Sequence, residues 1–231
     1  MIDKSSSLKI IGQLVKDSMT VMVGGFGVPG TPFTLIDALI ETGISNLTLI
    51  KNEANEDHMG LSKLVEAGCA SKLITSHLGL NATVIGMMNR KEIDVEFYPQ
   101  GILAEKIRAG GAGLAGILTD IGVDTILAEN KEIVTVDGED AIIEPALRAD
   151  IALIHSAVAD PFGNLIYEKS ARNFNPLMAT AADIVIVETE SLAAHGELAP
   201  DAIHTPGGFI DHVVVLEHLS DEYGILEHHV L

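Results

Sequence analysis

The sequence has no tryptophan, and aromatic residues fill only 4% of its 231 positions. With hydrophobic residues at 47%, the core must be built from Val, Ile, Leu, Ala and Met, the composition of buried parallel sheets. A single cysteine, Cys69, permits no internal disulfide and fits a reducing cytosol. Cations are scarce: 14 Lys and Arg stand against 33 Asp and Glu, a formal net charge of −19. That balance argues against nucleic acid or an anionic membrane as partner, since both require clustered Lys and Arg. It also means that a phosphate-rich ligand must be held largely by backbone N–H groups or by a second chain. No apolar run reaches the length of a membrane span, and "MIDKSSSLKI" lacks the basic-then-apolar pattern of a signal peptide. The expected compartment is therefore the cytoplasm. A positive mean hydropathy in so acidic a chain points to apolar surface covered between subunits.

What is present is a regular alternation. "SSSLKIIGQLVKD" reads as a first helix with Ser at its N-cap, and "TVMVGG" as a short strand. "TPFTLIDALIETG" reads as a helix with Thr31 as N-cap, Pro32 at N1 and Gly43 just past its end. Strands "NLTLIKN", "SKLITSH" and "IDVEFYPQG" then alternate with helices "HMGLSKLVEAG", "ATVIGMMNRKE" and "ILAEKIRAG". "AGGAGLAGILTDIG" reads as loop, and "EIVTVDGEDAIIE" as a hairpin turning at Asp137-Gly138. Two near-continuous apolar strands, "ADIALIHSA" and "ADIVIVETE", flank a turn at "DPFGN" and a helix at "FNPLMATAA". "HTPGGFIDHVVVLEH" ends the sheet, and the tail "SDEYGILEHHVL" reads as loosely held. The pattern predicts one α/β domain over residues 1–231: an open, mostly parallel sheet covered by helices, with a small β-hairpin insertion.

The stretch "VMVGGFGVPGTPFTL" contains Gly25-x-Gly27-x-x-Gly30 after a strand, the spacing of a dinucleotide-binding fingerprint, and Glu53 lies near where a ribose-binding acid belongs. Pro32 weighs against that use. In a dinucleotide fold the helix begins among the glycines, where Pro32 would break a backbone bond. The glycines instead form a longer free loop. Gly24, Gly25, Phe26 and Gly27 can bend the backbone toward a ligand and converge several N–H groups on one anionic oxygen, with Phe26 as an apolar lid.

"DSMTVMVGGFGVPGTP" closely resembles the signature of family I CoA-transferases. "NLTLIKNEA", "SHLGLN", "YPQGILAEKIRAGGAGLAGILTDIGVDT", "EPALRADIALI", "DPFGNLIYEKSARNFNPLMATAA" and "GELAPDAIHTPGGFID" are similar, in the same order, to blocks of the α (A) subunit of 3-oxoacid and acetate CoA-transferases. One departure is Ser18, where the signature expects Gly or Asn. The resemblance implies a ping-pong enzyme in which a glutamate attacks the acyl-CoA thioester. The "SENG"-type motif that carries this nucleophile in the β subunit is absent here; Glu129-Asn130 shares two letters, but Lys131 replaces the glycine. The chain is thus expected to be a non-nucleophile subunit with no catalytic residue and no metal of its own. It would need no cofactor beyond acyl-CoA or CoA as substrate, and would work with a β subunit as an α2β2 heterotetramer.

By the same resemblance, the Gly24–Gly27 loop, Asn52 and Gln100 line the acyl pocket. Both amides fall at the C-terminal ends of predicted parallel strands, where α/β sheets bind ligands. A metabolite-binding module of the phosphosugar-isomerase or sensor type, without transferase activity, is the alternative. The group Glu53, Glu56, Asp57 and His58 reads as a solvated acidic loop rather than a metal site. His228 and His229 are too isolated to argue for zinc. In "SARNFNP", Arg172 and its two asparagines read as either a substrate contact or a buried network satisfying backbone.

Overall fold

The computed structural model describes residues 2–224. Four strands run outward in chain order: β2 (Thr20–Val23), β3 (Leu47–Ile50), β4 (Ala70–Thr75) and β5 (Asp94–Phe97). They are joined by helices α2 (Phe33–Glu41), α3 (Leu61–Glu66) and α4 (Ala82–Asn89). The chain then returns to the other side of β2 with β9 (Ala149–Ala159), β11 (Ala182–Leu192) and β12 (His212–Val215). The resulting order is β1-β12-β11-β9-β2-β3-β4-β5, with β1 (Ser5–Ser6) at one edge and every pair on this path parallel. A short strand, β10 (Leu165–Ile166), pairs antiparallel with β9. The order therefore reverses between β2 and β9. In open α/β sheets the crevice outside the carboxyl ends of strands at such a reversal is where ligands bind.

Val21 and Leu49, buried together with Leu35 and Leu39 of α2, fill one face of the sheet. On the other face, Met22, Ile50 and Ile154 pack against α5 (Gln100–Gly111) and α6 (Asn175–Thr180). Burial on both faces explains why these strands read as continuous apolar runs.

A second sheet, antiparallel, has the order β6-β8-β7, with β6 at Gly116–Thr119, β7 at Ile133–Val136 and β8 at Glu139–Pro145. Its hairpin turns at Asp137 and Gly138, with φ of 52° and 89°, as a two-residue turn matched to strand twist requires. The loop expected at 109–122 is only partly one. Gly110 and Gly111 finish α5, and Gly116–Thr119 forms β6 against β8. Glycine at 110, 111 and 116 permits close packing: a Cβ at any of them would lie 2.5 Å or less from an atom of Leu147, Thr180 or Glu144.

Two further expectations are corrected at helix starts. Ser5 and Ser6 do not cap the first helix; they pair with Val213 and Val214 at the edge of β12, and α1 (Ile10–Leu14) has no side-chain cap. Thr31 does not cap α2, whose N-cap position is Pro32. That end is satisfied from across the sheet, where Leu35 N–H donates to Glu188 Oε2 of β11 at 3.0 Å. A carboxylate at a helix N-terminus meets both the unpaired N–H groups and the helix dipole. Gly43 does lie past the end of α2, with φ of 69°. Ser18, the departure from the signature, adopts φ of 67°, the left-handed region that Gly or Asn enters most easily.

Candidate functional site at the reversal of strand order

The glycine loop follows β2 at the strand reversal, and α2 begins only at Phe33. The dinucleotide geometry, with the helix starting among the glycines, is therefore not formed. Gly25, Gly27 and Gly30 have φ of 94°, 60° and 73°. A Cβ on Gly25 would lie 2.3 Å from Thr31 Oγ1 and 2.6 Å from its backbone nitrogen, so that position excludes any side chain.

The expected convergence of several N–H groups is corrected. Gly24 N–H donates to Leu153 O at 2.9 Å and Phe26 N–H to Pro29 O at 3.1 Å. Gly27 N–H donates to the carboxylate of Glu53 at 2.6 Å. Among the described residues, Gly25 N–H alone of these four has no partner, although Gly25 is buried. Buried N–H groups without partners are rare in folded chains, and this one lies at the carboxyl end of β2 beside the reversal of strand order. Phe26 is half exposed at the rim, a position compatible with a lid.

Asn52 follows β3, next to β2 in the sheet. It is fully buried, and neither its Nδ2 nor its Oδ1 has a hydrogen-bond partner. Only its backbone is engaged: Asn52 O accepts from Ser76 Oγ at 2.6 Å and from Ser76 N–H at 3.0 Å. Ser76 Oγ also contacts Gln100 Oε1, so Gln100 and Asn52 are tied to one hydroxyl at the ends of neighbouring strands. Gln100 is exposed and opens α5 just after β5. The fold therefore brings the glycine loop, Asn52 and Gln100 to one edge.

Several residues that brace this edge escaped the sequence reading. Glu53 is buried, not part of a solvated loop, because its carboxylate holds Gly27 N–H. Asn55 Nδ2 donates to Gly27 O at 2.8 Å, and Thr31 Oγ1 donates to the same oxygen at 2.7 Å. Asp57 and His58 remain exposed; they bond Thr83 N–H and Glu66. The two asparagines of "SARNFNP" form the backbone-satisfying network, whereas Arg172 is exposed and takes no part in it. Asn175 Nδ2 donates to Gly30 O and Ala171 O, its Oδ1 accepts from His155 N–H, and Asn173 Nδ2 donates to Pro29 O.

Beside it, His155 is buried between Glu188 (Nδ1 to Oε1, 3.0 Å) and Glu190 (Nε2 to Oε1, 3.1 Å). Burial opposes its charge, but the two carboxylates outweigh it and raise its pKa to about 9. In sequence the signal was a histidine and a glutamate inside apolar strands; the register pairs them directly, His155 with Glu188. Ser156, next along β9, is also fully buried with an unpartnered hydroxyl.

The tail is held more firmly than expected up to Tyr223. The Tyr223 ring packs edge-on against Phe33, and its hydroxyl donates to Thr31 O. Glu222 accepts from Gly60 N–H at 2.8 Å and pairs with Lys63 at 2.6 Å. His228 and His229 lie outside the described residues. Glu129 is exposed on the connection between β6 and β7. Among the described residues no cluster of three or more His, Cys, Asp or Glu could hold a metal, and no helix is long and apolar enough to cross a membrane.

A small cleft of about 50 Å³ beside the loop is lined by Gly27, Glu53, Asn55 and Leu80, among others. A larger concavity of about 780 Å³, lined by Ser7, Thr34, Val215, Glu217 and Asp221 among others, includes none of the predicted site residues. We place the candidate site by its unpaired buried polar groups rather than by cavity size.

The chain is 50% identical over 200 residues to the acetate CoA-transferase subunit alpha of Escherichia coli K12, covering 87% of this chain and 91% of that one. It is 42% identical to the acetoacetyl-CoA:acetate/butyrate CoA transferase alpha subunit of Clostridium acetobutylicum, over 86% of this chain and 91% of that one. The fold matches that of an acyl-CoA transferase from E. coli O157:H7, solved as a thioester complex with CoA, with a TM-score of 0.85 at 24% identity. That match covers 94% of this chain and 48% of the other, so the chain spans about half of that structure's length. The family model described as coenzyme A transferase matches residues 6–216; the chain belongs to this family, as an α-type (A) subunit of a family I CoA-transferase.

Proposed function

We propose that this chain works with a β subunit, as a cytoplasmic α2β2 enzyme, to move CoA between an acyl-CoA and a short-chain carboxylic or 3-oxo acid. The observation that carries the reading is the pair of unpaired buried groups at the strand reversal, Gly25 N–H and the Asn52 amide. Their neutral donors suit an oxygen that is anionic only transiently. The names of the relatives, which specify acetate and acetoacetyl-CoA:acetate/butyrate, support the substrate class.

In this reading a glutamate of the β subunit attacks the thioester carbonyl. The C–S bond breaks, giving a mixed anhydride and CoA thiolate. The thiolate then attacks the glutamyl carbonyl, releasing the carboxylate and leaving a glutamyl-CoA thioester, and a second acid takes the CoA by the reverse steps. A carboxylate is a weak nucleophile, so stabilising each tetrahedral oxyanion governs the rate. Gly25 N–H and Asn52 Nδ2 are the donors this chain offers, and Gln100 binds the acid at the rim. Such donors act without reorganising because the loop is already fixed.

The test compares the chain alone with the chain co-expressed with its companion subunit, following CoA transfer from acetoacetyl-CoA to acetate. Transfer is expected only with the companion. Robust turnover by this chain alone would overturn the division of labour, and metabolite binding without transfer in either case would favour the binding-module reading.

A further inference from the structure

Lys51 is fully buried at the end of β3, directly before Asn52. Its ammonium donates to Gly24 O and to Thr31 Oγ1, each at 3.1 Å. Among the described residues no carboxylate lies within ion-pair distance of it. A buried cation without a paired anion is costly and is uncommon as a purely structural element. Both of its partners belong to the glycine loop. Gly24 O is the carbonyl of the peptide unit whose N–H is that of Gly25, the one donor left unpaired. A cation bonded to the carbonyl end of a peptide draws electron density from its N–H and strengthens it as a donor.

We infer that Lys51 is a positioning residue of the transfer site: its ammonium fixes the loop through Gly24 and Thr31 and polarises the Gly24–Gly25 peptide toward an anionic oxygen. This rests on the proposed oxyanion role of Gly25. It also meets the shortage of cations in so acidic a chain, because one buried charge adds positive potential to the site without occupying the substrate's space.

The charged and titratable groups around it are few. Glu53 stands on the same connection and favours the ammonium. Tyr223 reaches Thr31 O from the C-terminal segment, and burial pushes its phenol far above the usual range. The His155–Glu188 pair meets the start of α2 at Leu35. Burial lowers the Lys51 ammonium to about 8, against the opposing influence of Glu53. Its charge is therefore lost within the range where the enzyme can be assayed.

The experiment measures kcat and KM from pH 6 to 10 for the α–β complex, wild type and Lys51→Met. The wild type should lose kcat with a midpoint near pH 8, while KM changes little. K51M should have a kcat about tenfold lower at pH 7 and lack that limb. Glu53→Gln, which removes the carboxylate favouring the ammonium, should move the wild-type midpoint to lower pH, and the double variant should lack the limb as K51M does. A K51M complex with wild-type kcat, or with the same alkaline limb, would overturn the assignment and give the limb to His155. Absence of transfer by the wild-type complex would instead overturn the CoA-transferase reading, and this role with it. Were K51M not to assemble, the wild-type and E53Q profiles still decide: an unchanged E53Q midpoint counts against Lys51.

Discussion

Two regions of the molecule each bury a lysine, and they treat its charge in opposite ways. At the junction between α5 and the small sheet, Lys106 pairs with Glu144 at 2.7 Å, both almost fully buried, and sits 4.2 Å from the centre of the Tyr98 ring. Lys131 pairs with the other oxygen of the same carboxylate. Every charge there has a partner, as a structural joint requires. Beneath the glycine loop, Lys51 has only a carbonyl and a hydroxyl, and the polar groups nearby include an orphaned amide and an orphaned N–H. The first region is satisfied by itself. The second leaves buried polar groups unpaired within the fold.

That contrast predicts how each region fails. Glu144→Ala strands two lysines, one of them buried, and should cost about 3–5 kcal/mol in urea unfolding while leaving the glycine loop intact. A loss below about 1 kcal/mol would deny the joint its role. Gly25→Ala forces a Cβ into Thr31 at a positive φ; kcat of the α–β complex should fall by about 10²–10³-fold, the scale of losing an oxyanion donor.

Lys51 should show the reverse of Glu144 in stability. Its pKa in the folded chain is lowered to about 8, so between that pH and 10.5 the unfolded chain binds more protons. Stability from this group therefore rises with pH, by about 3 kcal/mol across that window. The difference between wild type and K51M in urea melts at pH 7 and pH 10 reads this directly; a pH-independent difference would contradict it.

Two asparagines sharpen the comparison at smaller scale. Asn175 uses both amide atoms within the fold, so Asn175→Ala should cost about 1–3 kcal/mol of stability. Asn52→Ala should change stability by less than about 1 kcal/mol, since no group of the fold bonds its amide, yet lower kcat by about 10²-fold. The smallest effect is expected at Gln100. It is exposed and already shares Ser76, so Gln100→Ala should reduce kcat/KM only a few-fold.

The parallel sheet was legible because its signal is local: apolar runs such as "ADIALIHSA" must be buried on both faces, whatever lies around them. The glycine loop was legible through Pro32 and the signature around it. What held the loop was not. Glu188 caps α2 from 153 residues away, and Asn175 reaches Gly30 across 145. Nothing near Leu35 or Gly30 in sequence hints at either. The spent N–H groups of Gly24, Phe26 and Gly27 were hidden for the same reason, since each partner is fixed only by tertiary packing or by the path of the loop itself. Charged letters inside apolar strands (Lys51 in "LTLIKN", His155 and Glu188 in the two long strands) were the available clue. Their pairing became visible only once the register placed β9 between β2 and β11.

The most direct test is a crystal structure of the α–β complex trapped with an acyl-CoA or as its acyl adduct. An acyl or adduct oxygen should lie within hydrogen-bond distance of both Gly25 N and Asn52 Nδ2. An acyl group seated elsewhere, with both groups still unpaired or bonded to protein, would contradict the assignment of this edge as the transfer site.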